Sequence, residues 1–373
     1  MYVLIFCKMR TECRYAPSNP ICEVNFLASL RKFMNPKIVA NVGRRSGDYE
    51  ILKKMALAGM DTARLNFAHA SNDQLIELKE NFKKLKEETG IEVKVFQDLC
   101  GPRIRVGILP EEIHMKEGEE YSFSFDKCDA NDKTCIPIDS KDLINDLEVG
   151  HPFFLVNGAI ELIIINIADG KIFCKVERGG VLSSKKGINL PKTNLSGGGL
   201  TAKDEIDAAF GASVGVDYMG LSFVQSEEDI QKLRKIIGPD IKIIAKIERG
   251  TAMPAIDKII RESDGIMIAR GDLGIEMPME ELPILQKELI RHAHWHQKSA
   301  MVATQMMLSM VEKSHPTYAE VTDVANAVFD GADTLMLSDE TAVGKYPVEC
   351  ITIMKKIIDR ADEYFNKTNY WHE

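Results

Sequence analysis

One rhythm limits what this chain can fold into. Short, mostly apolar runs rich in β-formers alternate with amphipathic stretches about 12 to 20 residues long. The runs are KIVANVG (37–43), TARLNF (62–67), VKVFQDL (93–99), VDYMGLSFV (216–224), IKIIAKI (241–247), DGIMIAR (264–270), SAMVATQ (299–305) and DTLMLS (333–338). Strands apolar on both faces belong to a sheet covered on both faces, which points to parallel pairing through crossover helices. The helical stretches carry their own punctuation. SNDQLIELKENFKKLKEETG opens on Ser-Asn and stops at Gly; SEEDIQKLRKIIG opens and stops alike, with acids first and bases last, as the helix dipole favours. About eight such units predict an α/β fold, a closed (β/α)8 TIM barrel rather than an open sheet.

The rhythm breaks once. From about residue 104 to 190 no long helix is signalled. Instead β-rich runs such as EEYSFSF, HPFFLVNG and AIELIIINIADGKIFCKV follow one another, and ADGK is a hairpin signal. The expected organisation is an N-terminal extension over 1–33, a first barrel part over 34–103, an inserted small β-barrel lid over 104–190 and a second barrel part over 191–373. The insertion leaves and returns at the C-terminal end of the third strand. Barrel enzymes keep their chemistry there, and an added domain there can close over it.

Composition excludes several classes of function. A chain of 373 residues, 45% hydrophobic, is long enough for a large core and a second domain. A net charge of −9 argues against a nucleic-acid partner and requires that cations for any anionic substrate be concentrated locally. No apolar run approaches the ~20 residues that span a bilayer. YVLIFC (2–7) is too short for a signal-peptide core and has no basic residue before it. The eight cysteines form no CxxC pair, so reduced thiols in the cytoplasm are expected. Cys7, Cys13 and Cys22 have no histidine among them, which argues against a metal site.

A barrel enzyme should collect polar residues at the C-terminal ends of its strands, and this sequence does. The second run ends with Arg64 and Asn66, at spacing two and so on one face. The third ends with Asp98, the fourth carries Ser222, and the fifth ends with Lys246 and Glu248. The sixth leads into Arg270 and Asp272, the seventh into Thr304 and Gln305, and the eighth into Ser338, Asp339, Glu340 and Thr341. Loops are polar anyway, which accounts for Asp339 and Gln305. It does not account for Lys246, a charge inside an apolar strand, where an unpaired ion costs several kcal/mol. Glu248 and Asp272 could pair with Lys246 or Arg270. Alternatively they share a divalent cation; few carboxylates and an open shell suit Mg2+ or Mn2+. In GDLGIEMPMEEL the glycines free the backbone for close approach and a helix is expected soon after, so its free N–H groups offer an anion site. Nearby, DLCGPRIRVG sets Arg103 and Arg105 at spacing two with only Asp98 close in sequence. HAHWH (292–296) puts His292 and His296 a turn apart, on what reads as a surface helix face. The methionines of ATQMMLSM read as core filler.

At these residues the sequence closely resembles pyruvate kinase, over roughly residues 35 to 360. AGMDTARLNFAHAS, SSKKGINLP, IIAKIERGTAMPAID, SDGIMIARGDLGIEMP, VATQMMLSM and DVANAVFDGADTLMLSDETAVGKYP carry the resemblance, in the family's order. The resemblance implies phosphoryl transfer from phosphoenolpyruvate to ADP, giving pyruvate and ATP, chemistry that rests on positioning and charge neutralisation. It implies Glu248 and Asp272 as ligands of Mg2+ or Mn2+, and Lys246 as the cation on the moving phosphoryl group. Arg64 and Arg105 match arginines that hold that group. The Gly271 and Asp272 amides match the substrate carboxylate site. Thr304 matches the threonine near the carbon that is protonated, and Ser338 a relay beside it. Asn66, His69, Arg105 and Lys186 fall on the nucleotide side.

Departures from the family pattern carry expectations of their own. The potassium site usually includes Asn66, Asp98, a serine where this chain has Ala68 and a threonine where it has Leu99. The usual acid after Gly-Pro is Arg103, and Val106 stands where a threonine commonly does. A potassium-independent subset of the family has a lysine at the Arg103 position, so Arg103 is expected to replace the potassium ion. NVGRRSG departs from the family's TIGPAS, and Tyr318 replaces an arginine used in subunit contacts. The sequence stops near the eighth helix, so the family's C-terminal allosteric domain and its effector response are expected to be absent. A homodimer through the barrel is expected. Two other readings remain at this stage: a catalytically silent paralogue, and a Mg-dependent aldolase or lyase acting on a pyruvate enolate.

Overall fold

The computed structural model describes residues 35–367 apart from 126, 127, 129–131 and 133; the expected extension over 1–33, with Cys7, Cys13 and Cys22, lies outside the described residues. In chain order the first elements are β1 (Lys37–Asn41), α1 (Tyr49–Leu57), β2 (Thr62–Asn66), α2 (Asn72–Thr89) and β3 (Lys94–Asp98). Then come β4 (Ile113–Met115), β5 (Glu120–Ser124), β6 (Cys135–Pro137), β7 (Pro152–Leu155), β8 (Ile160–Ala168), β9 (Lys171–Arg178), β10 (Gly180–Leu182) and β11 (Ile188–Asn189). The regular alternation resumes with α3 (Ala202–Val214), β12 (Tyr218–Leu221), α4 (Glu227–Ile237), β13 (Lys242–Ile247), α5 (Ile256–Glu262), β14 (Gly265–Ala269), α6 (Arg270–Glu276), α7 (Leu282–Trp295) and β15 (Ser299–Ala303). It ends with α8 (Tyr318–Phe329), β16 (Thr334–Leu337), α9 (Asp339–Ala342) and α10 (Pro347–Lys367).

The eight expected barrel strands close into one parallel ring in the order β1-β16-β15-β14-β13-β12-β3-β2. Each observed strand lies within its expected run. Beyond β14, β15 and β16 the polar residues Arg270, Thr304, Gln305 and Ser338 leave the ladder and line a cavity. Side chains alternate between two cores. Ile38 and Ala40 face the surrounding helices, while Val39, Phe96, Ile244, Met267, Met301 and Met336 fill the barrel. Met306, Met307 and Met310 are fully buried, as core filler should be. Helix punctuation follows the sequence. Ser71 accepts from the Gln74 amide at 3.3 Å while the Gln74 side chain accepts from the Ser71 amide at 3.0 Å, and Gly90, at φ 74°, ends the helix.

The interval after β3 has its own core, running from Ile104 to Leu190. Its strands form a six-stranded sheet, β11-β7-β8-β9-β5-β6, with a separate two-stranded ribbon, β10-β4. It is thus a half-barrel rather than a ring closed by hydrogen bonds among the described residues; β4, β6, β10 and β11 are too short to continue the ladder. Asp169 and Gly170, both at positive φ, make the two-residue turn between β8 and β9. The expectation of reduced thiols throughout needs correction. Cys128 and Cys135 are joined as a disulfide, their Cα atoms 5.5 Å apart, within the reach of that bond. Their separation of seven matches no motif, so sequence spacing could not reveal it. Cys100, Cys174 and Cys350 are free. No helix among the described residues is long and apolar enough to cross a membrane.

Candidate active site

A cavity of about 670 Å3 opens at the C-terminal ends of the strands; Arg64, Lys246, Glu248, Asp272, Thr304 and Ser338 line it. Its floor is a buried charge cluster. Lys246 Nζ donates to Ser222 Oγ at 2.7 Å and lies 3.0 Å from Glu248 Oε1 and 3.2 Å from Asp98 Oδ2. Arg64 Nε donates to the same Asp98 oxygen at 2.7 Å. The barrel register creates this meeting. Asn66 pairs with Asp98 across β2 and β3, Gly220 pairs with Asp98 across β3 and β12, and Lys246 follows two strands on. A Cβ at Gly220 would sit 2.8 Å from Asp98 Oδ1, so only glycine leaves room for that carboxylate.

The cluster fixes its own protonation. Burial pushes Asp98 up, but the charges of Lys246 and Arg64 outweigh it and hold the carboxyl below the usual range. Burial pushes Lys246 down; Asp98 and Glu248 reverse this and hold it charged. Glu248 goes the other way. Its burial raises it, Lys246 only partly offsets that, and the nearby Asp272 raises it further. Asp272 is thus near enough for its charge to repel that of Glu248.

Asp272 reaches the cavity from α6, which begins at Arg270 directly after β14. The helix therefore starts earlier than GDLGIEMPMEEL suggested, and Gly271 and Asp272 stand in its first turn. A Cβ at Gly271 would meet Thr304 Cγ2 at 2.7 Å, so the bare backbone lets the two segments close together. Glu248 also accepts from the Phe223 amide at 2.7 Å. With two hard carboxylates, and no cluster of three His, Cys, Asp or Glu among the described residues, the donor set suits a divalent ion that takes its remaining oxygens from substrate and water. Arg103 Nη2 lies 3.8 Å from Asp272 Oδ1.

Thr304 and Gln305 leave β15 at φ 78° and 56°, backbone that a β-branched residue rarely adopts. This strain turns Thr304 toward the cavity and carries no sequence signal. Arg270 steadies it, donating to the Thr304 carbonyl from Nε at 3.3 Å and Nη2 at 2.8 Å. On the far wall the buried Glu340 accepts from the Ser338 amide at 2.7 Å and the Met307 amide at 3.1 Å.

Not every residue singled out in the sequence lines this cavity. Asn66, Arg103, Leu99 and Ala68 line it; Arg105, Lys186 and His69 do not. Arg105 lies where the interval leaves the barrel, bridged to Gly187, and its Nη1 donates to the Lys185 carbonyl at 3.3 Å. Lys186 and His69 are exposed. Asp98 is thus the partner of Arg64 and Lys246, not of the two arginines close to it in sequence. Of the three HAHWH histidines, His292 Nδ1 and His296 Nε2 lie 3.1 Å and 3.3 Å from Asp257 Oδ1, while the buried His294 Nε2 lies 3.0 Å from Asp333 Oδ2. The sequence reading missed Asn41 and Cys100 in the cavity wall, and the buried pair of Arg249 and Glu276 behind it. For Arg249 a signal existed, a second charge directly after Glu248 at the end of an apolar strand.

Residues 33–351 match the family model described as pyruvate kinase, barrel domain. Among curated proteins the chain is similar to a pyruvate kinase of Thermococcus litoralis, 41% identical over 338 residues, covering 90% of this chain and 71% of that protein. It is 40% identical over 336 residues to a pyruvate kinase of Agrobacterium vitis, covering 90% and 70%. A pyruvate kinase of Mycobacterium tuberculosis is 38% identical over 331 residues, covering 88% and 70%.

Proposed function

This chain belongs to the pyruvate kinase family, and from that membership we propose how its residues divide the work. The reaction moves the phosphoryl group of phosphoenolpyruvate to ADP, giving pyruvate and ATP. The observation that carries this reading is Lys246, a buried ammonium kept charged by Asp98 and Glu248 with its open side on the cavity. Fixed positive charge in a low-dielectric cavity is what stabilises a transferring phosphoryl group and the enolate it leaves.

Glu248 and Asp272 hold the divalent ion; when bound, Mg2+ or Mn2+ neutralises charge on the substrate oxygens as a Lewis acid. Lys246 and Arg64 face the phosphoryl group from the floor. Arg105 joins them from the lid, spanning 104–190, when the lid closes. The Gly271 and Asp272 amides, at a helix N-terminus, receive the substrate carboxylate. Thr304 sits by the carbon to be protonated; a hydroxyl is too weak an acid alone, so Ser338 extends a water chain to it. Asn66, His69, Arg105 and Lys186 bind the nucleotide. Arg103 supplies the charge that potassium otherwise supplies, so potassium is not required. Pairing through the barrel, near the fully exposed Tyr318, gives a homodimer, and a cytoplasmic setting suits a glycolytic enzyme.

The test is ATP formation from phosphoenolpyruvate and ADP with Mg2+, followed by a coupled assay. Folded protein that forms no ATP overturns the reading.

A further inference from the structure

The lid's two connecting chains meet the barrel around a small cavity of about 20 Å3, walled by residues 102–104 on the way out and 188–190 on the way back. Its barrel side is formed by Arg249, next to Glu248, and by Glu276, the last residue of α6, whose first turn holds Gly271 and Asp272. Both side chains are buried. Arg249 Nη2 donates to the carbonyls of Leu190, at 3.0 Å, and Thr193. The Glu276 carboxyl faces the amides of Leu190 and Gly250. Arg249 Nε stands 4.0 Å from Glu276 Oε2, and that oxygen and Arg249 Nη1 have no hydrogen-bond partner among the described residues. One charge pair therefore grips the return chain of the lid from the metal-site strand and the metal-site helix together. A buried ion pair of this kind is seldom worth more to stability than an apolar pair of the same volume.

We propose that Arg249 and Glu276 are positioning residues that lock the return chain of the lid to α6, so that the lid angle and the placement of Asp272 are set together. The proposal rests on the lid and metal assignments above.

The test compares the full chain with the Arg249→Met/Glu276→Leu double variant. Three readouts are taken: melting temperature, hydrogen exchange at the amides of residues 188–190, 192 and 193, and kcat against KM for ADP. The expected result is an unchanged melting temperature, exchange faster by roughly tenfold, and an ADP KM raised roughly three- to thirtyfold with a smaller change in kcat. A folded variant with unchanged exchange and unchanged KM overturns the proposal. If the double variant does not fold, Arg249→Lys and Glu276→Gln carry the same readouts under the same criteria. If the unmodified chain makes no ATP, the functional reading fails, and the exchange measurement alone decides whether the pair locks the lid.

Discussion

Arg270 holds the carbonyl of Thr304 with Nε and Nη2 of its guanidinium, and Asp323 accepts from Nη1 at 2.8 Å and from the shared Nη2 at 2.7 Å. The grip matters because Thr304 sits at φ 78°, where a side chain costs about 1–2 kcal/mol. Strain at this point is what aims the hydroxyl into the cavity, and a rigid fork is what keeps it there.

Replacing Thr304 therefore separates strain from chemistry. Thr304→Ala and Thr304→Gly both lose the hydroxyl and should both lose most activity. Glycine accepts the positive φ, so Thr304→Gly should be more stable than Thr304→Ala by about 1 kcal/mol in denaturant unfolding. Equal stability, or a more stable alanine variant, would mean that the backbone is not strained.

Lys246 neutralises two buried acids, so its loss should be felt twice. Lys246→Met should reduce turnover by at least about a thousandfold, since a fixed charge on the transferring group is removed. It should also cost about 3 kcal/mol of stability, because Asp98 and Glu248 lose their shared partner. The second effect has a direction in pH. Asp98 is held below its ordinary value, so its contribution is present above that value and is lost as pH falls through the lower, folded one. Lys246→Met should blunt that acid loss. Kinetics and urea titrations at two pH values check both; full activity would remove Lys246 from its assigned role.

Most of the barrel was legible because each strand is a mostly apolar run, and a charge inside such a run is not accounted for by the polarity of loops. Lys246 stood out for that reason. What the sequence concealed is long-range. The partners of Asp98 lie on β2 and β13, not beside it in the chain. The start of α6 at Arg270 is hidden because its glycines look like a loop. The strain at Thr304 depends on Arg270 and Gly271, and the Cys128–Cys135 bond follows no motif.

His292, on α7, and His296, which caps it, act together on Asp257. Hydrogen bonding to His292 chiefly, against the opposing effect of burial, takes Asp257 from 3.8 to about 2. A depressed carboxyl contributes stability above its unfolded value and loses it as pH falls through the folded one. Asp257→Asn should thus destabilise the protein above about pH 4 and make progressively less difference toward pH 2. Thermal melts of both proteins across that window test this. A difference that stays constant with pH would show that the carboxylate charge is not what the histidines hold.

The role proposed for Arg103 predicts the response to potassium. Its guanidinium lines the same cavity as Asn66 and Leu99 and lies 3.8 Å from Asp272. A potassium ion beside it would meet like charge, and at ~4 Å two unit charges repel by about 4 kcal/mol at an intermediate dielectric. Neither Leu99 nor Val106 offers a side-chain oxygen to the ion; both are buried among apolar residues. Activity measured with Mg2+ should therefore be the same, within about twofold, in potassium and in tetramethylammonium buffers of equal ionic strength. Arg103→Gln keeps a planar polar group without the charge; it should lose activity by about ten- to a hundredfold in tetramethylammonium. Strong activation of the unmodified chain by potassium would show that the ion still binds and that Arg103 has some other task.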